Sequence, residues 1–562
     1  MYLKEIAQKR KQEILESSFY APMLEPVKKA ADGYLSRPIE SLRYSEFDIF
    51  YQTGSRSEYE KSYFDRRGRL NSCAFMYFLT GEDRYKQGLE DVIWAICDEF
   101  SWALPAHMNN EMEIGKQKRY IDLFASETGF ALSEIYDLLG DQLSPKVSQR
   151  ISFEVRERIV TSYLENTYNW ETVPTNWSAV CTAGVGAACM YLGTDREFEQ
   201  MLPRWKKSME CYLSGLAEDG CCMEGVNYWT YGFGFFVYFA DMLKERTNGE
   251  VNLFECDKVR AAASFEQKVL MGKTKCVSFS DGSQDFQFAP GLAFYLHKHF
   301  EGILIPDLCC MQKFGDDNCY RWASFIRDFF WTAPIANKAQ NGSRTYFLPD
   351  AGWFMHSNAA YSFAAKCGHN QEPHNHNDVG SLLYIKNDRV ILEDLGYGEY
   401  TYDYFNSPNQ YEILNKSSGG HCLPIIGGQC QKYGKEYCGS ILAQEGTGFE
   451  MDIAEAYGNE NLSELKRSVL CLEDRVEITD TVVFRDRTEA ITERFVTKIS
   501  PVLNGGIVVL GDACLCFDAS SLTCSVSEDT FSNHNSVTEK VYFIDFKPNQ
   551  TEMKTIVRFT VQ

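Results

Sequence analysis

Asn337-Lys-Ala-Gln-Asn-Gly-Ser343 divides a chain of two textures. The stretch is polar, carries turn formers and reads as a linker. Upstream of it, apolar residues recur at helical spacing. Leu89, Val92, Ile93, Ile96, Cys97 and Phe100 fall at i, i+3, i+4, i+7, i+8 and i+11, which is one stripe of an amphipathic helix. Similar stripes occur around 121–139, 147–164, 180–192, 235–243 and 261–270. Breakers such as Thr80-Gly81-Glu82-Asp83 and Gly193-Thr194-Asp195 part neighbouring helices, as in stacked helical hairpins. No strict period appears, so the pattern favours a ring or arc of antiparallel helices over a regular solenoid. Downstream of the linker come short β-rich runs at 346–348, 353–356, 361–365, 382–385, 390–392, 468–472 and 476–484. Val476 and Ile478 alternate with Glu477 and Thr479, the period of a half-buried strand. Helices followed by strands, without βαβ alternation, predict an α+β chain of two domains, helical over 1–335 and antiparallel over 336–562.

Composition narrows the function. At 562 residues the chain is too long for one core. Its 44% hydrophobic and 24% charged residues are those of a folded protein. A formal charge of −22 argues against nucleic acid as a partner, and an acidic substrate would need cations concentrated in a cleft. An aromatic content of 14% suits a carbohydrate cleft, although a large core gives the same figure. The 20 cysteines include adjacent pairs but no C-x-x-C, so neither a zinc ribbon nor a dithiol redox motif is indicated. The first residues lack the apolar run of a signal peptide, and the most apolar stretch, 232–243, is too short and mixed to cross a membrane. The expected address is the cytoplasm, or a secreted or periplasmic one if a leader has been removed.

The chain has only 9 histidines, and their placement is informative. Three lie in Gly368-His369-Asn-Gln-Glu-Pro-His374-Asn-His376-Asn-Asp378. On an extended strand His374 and His376 would share a face. Asp394 follows in Leu392-Glu393-Asp394-Leu395-Gly396, and His421 follows in Ser418-Gly-Gly-His421. Imidazoles and a carboxylate from three β segments match a divalent site, zinc or manganese; hydrogen-bonded surface histidines are the plain alternative. In the helical half, Val173-Pro-Thr-Asn176-Trp177 opens an apolar helix, where Asn176 read alone is an N-cap. Further on, Asp219-Gly-Cys-Cys-Met-Glu224-Gly-Val-Asn-Tyr228-Trp-Thr-Tyr231-Gly232 is dense in polar aromatics, which most often serve packing. Gly184-Val-Gly186 lies inside a helical stretch with no strand before it and reads as close helix packing rather than a dinucleotide loop.

Together, Pro174-x-Asn176-Trp177, Glu224-Gly-x-x-Tyr228-x-x-Tyr231-Gly232, His374-x-His376-x-Asp378, Asp394-x-Gly396 and His421 resemble the heparinase II/III-like polysaccharide lyases, over most of the chain from about residue 50. The resemblance implies an incomplete α/α toroid followed by an antiparallel β-sandwich. It implies β-elimination at a uronic acid, with Tyr231, His374, Asn176 and Glu224 in the chemistry. The spacing from Asn176 favours Tyr231, 55 positions on, over Tyr228 as the catalytic match. This chain departs from several relatives in having Trp177 where they carry a second histidine. By resemblance His376, Asp394 and His421 hold a divalent metal, zinc or manganese, with Glu393 the next acidic candidate. Trp177, Tyr228, Trp102 and His107 are then candidates for substrate binding. Arg66 and Arg67, in Phe64-Asp-Arg-Arg-Gly-Arg69, are candidate cations for carboxylate or sulfate.

The expected partner is an acidic polysaccharide, with glycosaminoglycans (hyaluronan, chondroitin sulfate, heparan sulfate) ahead of alginate. Two other classes compete. A toroid glycoside hydrolase would use paired carboxylates, here Asp122 and Glu127. A non-catalytic glycan-binding protein would keep the architecture without turnover.

Overall fold

The computed structural model describes residues 2–335 and 342–562, so most of the expected linker lies outside the described residues. Contacts gather the chain into two units. The first is helical and comprises the residues up to Leu216, Tyr228–Arg260, and Phe288 to the end of the first described stretch. The second comprises Ala217–Asn227, Ala261–Gln287 and the described residues from 342 onward. A single cut at 335/336 was expected; instead two excursions of the first half belong to the second unit. The 261–270 stripe, expected among the ring helices, falls there, in the end of the Asp257–Ala263 helix and in the short helix Phe265–Val269.

In the helical unit, burial follows the apolar periodicity. The Asp83–Cys97 helix buries Leu89, Val92, Ile93, Ile96 and Cys97. Phe100 lies beyond its last turn and is exposed. Asp122 caps the Leu123–Leu139 helix by accepting from the Ala125 N–H at 2.7 Å. Gly184 and Gly186 sit where the Asn176–Leu192 helix meets its neighbours. A Cβ on Gly184 would lie 2.4 Å from the Ser126 carbonyl oxygen, and one on Gly186 would lie 2.3 Å from the Phe239 ring. Those glycines serve close helix packing. Among the described residues no helix is long and apolar enough to cross a membrane.

The described residues of the second unit hold a five-stranded, an eight-stranded, a four-stranded and a two-stranded sheet, whose paired strands are antiparallel. Val476–Phe484 alternates buried and half-buried residues along its whole length, as its period-2 pattern requires. Its buried side chains, with those of Leu462–Cys471, Ile491–Thr497 and Lys554–Val561, form the apolar core of the unit. One charged pair is enclosed in it. Arg467 donates to both oxygens of Asp480, at 2.9 and 2.6 Å, and to the carbonyls of Gly380 and Cys422. Such a pair is tolerated only because its hydrogen bonds are satisfied. The fold class is the expected one, a helical toroid followed by antiparallel sheets.

Candidate functional site

Two clusters of titratable side chains stand out, one in each unit. In the helical unit, Tyr231 lies in the second turn of the Val226–Arg246 helix and Glu127 in the second turn of the Leu123–Leu139 helix. The Tyr231 phenol donates to the Glu127 carboxyl. The Arg321 guanidinium lies over the Tyr231 ring, 4.1 Å from its centre. Its Nε is 3.6 Å from Glu127 Oε2, and Nη1 is 2.7 Å from Asp317 Oδ1. Burial pushes Glu127 up to about 7, with Arg321 and the Tyr231 hydrogen bond pulling the other way. Burial and the Glu127 charge raise Tyr231 well above 10, although Arg321 favours the phenolate. The phenol therefore keeps its proton at neutral pH, beside a carboxyl that gains and loses one there.

Asn176 is the first residue of its helix and buried, and the cap position falls to Thr175. Glycine at 232 lets Asn176 approach, since a Cβ there would lie 3.1 Å from the Asn176 Cβ. Trp177 and Tyr228 are half-buried. The Trp177 ring meets the His107 ring edge-on at 4.9 Å, and Asp122 Oδ2 holds His107 Nδ1 at 2.7 Å.

Other expected residues do not gather here. Arg66 and Arg67 are buried on the Ser57–Thr80 helix and both pair with Glu99, whose side chain is fully buried. Arg67 adds a hydrogen bond to Thr128 and stacks over Tyr63. Two guanidiniums spent on a buried carboxylate are structural, not substrate cations. Trp102 is 1% exposed, donates to the Ile96 carbonyl and packs under Arg158, so it belongs to the core. Asp122, one half of the hydrolase pair, is 0% exposed and accepts from the Leu104 and Ala125 N–H groups, which suits a cap and not a general acid. The cation beside the phenol is Arg321, which sequence reasoning missed.

In the second unit, His374 and His376 lie in a loop and not on a strand, and His374 has φ +53°. Proline at 373 and this left-handed residue break the extended run that the spacing suggested. The two imidazoles nonetheless converge on one carboxylate. Asp281 Oδ2 is 2.5 Å from His374 Nδ1, and Oδ1 is 3.2 Å from His376 Nε2. Tyr400 and Tyr404 also donate to Asp281, at 3.0 and 2.6 Å. Burial opposes ionisation of Asp281, but the bonds from His374 and His376 hold it well below the usual carboxylate range. Glu224 Oε1 lies 3.8 Å from His374 Nε2, and burial raises Glu224. Asp281 was not foreseen; Ser280-Asp281-Gly282 reads only as a turn, and its partner lies 93 positions away.

Ligating atoms of His376, Asp378 and His421 lie within 4.8 Å of one another, all buried. His376 Nδ1 and Asp378 Oδ2 have no hydrogen-bond partner. Asp394, the expected third ligand, holds His421 Nδ1 at 3.0 Å. Glu393 is engaged elsewhere, by Gln284 and by Lys498 at 4.0 Å.

No family model and no curated protein matches the chain. Solved structures do. A mutant of heparan sulfate lyase HepC from Pedobacter heparinus superposes with TM-score 0.65 at 14% identity, over 100% of this chain and 87% of that one. Heparinase III gives 0.61 at 13%, over 98% and 91%. The chondroitin AC lyase of Streptomyces coelicolor A3 in complex with chondroitin sulphate gives 0.58 at 11%, over 100% and 83%. This is the fold of the heparan sulfate and chondroitin lyases. At these identities the likeness is one of fold, and the residues must carry the chemistry.

Proposed function

We propose that the chain is a polysaccharide lyase that cleaves uronic-acid glycans by β-elimination, with glycosaminoglycans as its substrates. The observation that carries the reading is the Tyr231 phenol, bonded to a carboxyl that titrates near neutrality and covered by a guanidinium. A phenol so placed moves protons in either direction.

In the elimination, a base takes the hydrogen on carbon 5 of the uronate. The electron pair of that C–H bond becomes the carbon 4–carbon 5 double bond. The bond from carbon 4 to the bridging oxygen breaks, and that oxygen leaves with a proton. Charge spreads into the carboxylate on carbon 6, where hydrogen-bond donors lower the barrier. Asn176 is a donor in this reading, and Glu224, whose carboxyl burial raises, is the second candidate. Tyr231 gives the leaving oxygen its proton. When hydrogen and leaving group share a face of the sugar, Tyr231 also serves as base and Glu127 takes up its proton first. For the opposite epimer, His374 is the base.

A divalent ion, zinc or manganese, would take His376 and Asp378 as ligands, whereas His421 faces acceptors with both ring nitrogens, Asp394 Oδ2 at 3.0 Å and the Asn415 carbonyl at 2.9 Å, and Lys366 holds Asp378 Oδ1 at 2.6 Å. His376 Nδ1 and Asp378 Oδ2 are buried and unpartnered, with His421 beside them and Asp394 holding His421. When bound, the ion supplies positive charge that braces the loop carrying His374.

The test is to incubate the protein with hyaluronan, chondroitin sulfates, heparan sulfate and alginate and follow ultraviolet absorbance from unsaturated uronates. Cleavage with unsaturated ends supports the reading. Cleavage without them makes the enzyme a hydrolase, and saturable binding without cleavage makes it a glycan-binding protein.

A further inference from the structure

We propose that the second unit carries a glycan-binding strip, in which Tyr433, Tyr411 and Phe405 take the faces of sugar rings on the part of the chain that leads up to His374. The inference rests on the reading above and deepens it, since it says how the substrate is held beyond the reacting uronate. The three rings come from separate pieces of chain. Phe405 lies on the short Tyr402–Asn406 helix, Tyr411 in the Gln410–Glu412 turn, and Tyr433 just before the Gly434–Cys438 strand. Tyr411 backs Tyr433, the two rings stacking at 4.4 Å with 19° between their planes, and Gln371 Nε2 donates to the Tyr433 hydroxyl at 3.3 Å. At the other end Phe405 meets the His374 ring edge-on at 5.8 Å and the Tyr400 ring at 4.8 Å. Phe405 is 42% exposed and Tyr433 46%. Exposed rings scattered singly need no explanation, but two that are fixed about one buried cation do.

That cation is Lys416, which is 3% exposed. Its Nζ lies 4.5 Å from the centre of the Tyr404 ring, 4.9 Å from that of Tyr411 and 5.8 Å from that of Phe405. It donates to the Tyr404 carbonyl at 2.9 Å and to Gln410 Oε1 at 2.7 Å, and so ties the helix that carries Phe405 to the turn that carries Tyr411. An ammonium among ring faces is attracted by each of them, the more so when it is desolvated. The rings are therefore in place before a ligand arrives, and binding on them costs little further ordering. Their chemistry suits a sugar. A pyranose presents a face of C–H groups, which lies flat on an aromatic ring, and a rim of hydroxyls, which the Tyr433 hydroxyl and the exposed Gln371 amide are placed to meet. Continuity decides the occupant: Phe405 touches His374, the base of the reading above, so a glycan reacting there has its neighbouring rings at the strip.

Substrate length reads the strip. Tyr433→Ala and Phe405→Ala should each raise KM by about 3–10-fold on long chains, with kcat within about twofold, and leave KM unchanged on the shortest oligosaccharide that is cleaved. Tyr433→Phe and Phe405→Tyr keep a ring and should restore the wild-type KM. A merely structural role would change the kinetics at every length alike, and that result overturns the inference. If Phe405→Ala does not fold, Tyr433→Ala decides, because its ring is the more exposed. A wild type that cleaves none of the glycans sinks the proposed function and leaves the strip testable by calorimetry on oligosaccharides of hyaluronan, chondroitin sulfate and heparan sulfate. Binding that Tyr433→Ala weakens by about 3–10-fold then supports it. Equal binding by wild type and variant, or none by either, overturns it. So does a wild-type dimer that Tyr433→Ala converts to a monomer with KM unchanged at every length, since the strip is then a contact between two copies of the chain.

Discussion

Glu127 in the helical unit and Asp281 in the strand unit each accept a hydrogen bond from a residue assigned to proton transfer, yet their acidities part in opposite directions. Glu127 meets one phenol and a guanidinium 3.6 Å away, and burial carries it to about 7. Asp281 receives four donors, two from imidazoles and two from phenols, and they outweigh its burial. The same functional group is thus a proton reservoir in one place and a fixed acceptor in the other. The number of donors, more than depth, decides which.

The largest effect should come from removing the proton carrier. Tyr231→Phe keeps the ring under Arg321 and loses only the hydroxyl. We expect kcat to fall by about 10²–10⁴-fold with KM nearly unchanged, measured on whichever glycan the wild type cleaves. A variant within threefold of the wild type would show that the phenol is a packing residue and would dissolve the comparison.

Glu127→Gln sharpens it. A carboxyl near 7 is neutral below that pH and ionised above it, so its capacity to take the Tyr231 proton appears as pH rises through about 7. The wild-type kcat profile should have an ascending limb there, and the amide variant should lose it together with about 10²-fold in rate. For stability the sign is opposite. The folded state favours the protonated form, so this contribution is full below the ordinary value of 4.5 and lost as pH rises through about 7. A stability profile of the variant that parallels the wild type would refute the assignment.

How much of this was legible in the sequence follows from range. The stripe at 89–97 was readable because burial on a helix repeats at i, i+3 and i+4; Phe100 misled because it lies just beyond the last turn. The alternation at 476–484 was readable for the same local reason. The pairing of His374 with His376 was visible, but the reason they belong together was not. They meet through Asp281, 93 and 95 positions away, and not through a shared strand face. Tyr231 was picked out while its partner Glu127, 104 positions distant, was placed in a rival scheme beside Asp122. Asp122 was placed in that rival scheme too, although an Asp before an apolar helical run is a cap signal and the structure uses it as one. The basic run at Arg66 and Arg67 resembles a substrate-binding patch only because Glu99, 32 positions from Arg67, is silent about where it will be buried.

Glu99 bounds the comparison as a carboxylate whose donors are structural cations. Its side chain is fully buried and paired with two guanidiniums, so Glu99→Gln should strand both charges. We expect a loss of about 3–5 kcal/mol in stability, seen as a lower denaturation midpoint, with little change in KM for the residual folded enzyme. A rise in KM at unchanged stability would return Arg66 and Arg67 to the substrate.

The smallest expected effect concerns a carboxyl with no cation at all. Asp328 accepts the Gly291 N–H at 2.8 Å, and burial lifts it to about 8 in spite of that bond. The fold therefore prefers it protonated. Its contribution is full below the unfolded value of 3.8, declines as pH rises, and is gone above about 8. Asp328→Asn keeps an oxygen for the Gly291 N–H and cannot ionise. The difference in Tm between variant and wild type should therefore grow in favour of the variant from about pH 4 to pH 8 and then level off, reaching roughly 2–4 °C. Glu127→Gln, whose carboxyl has a guanidinium beside it, should level off about one pH unit earlier. If the two variants level off together, the guanidinium has no say in the acidity of Glu127, and the contrast between reservoir and fixed acceptor loses its electrostatic basis.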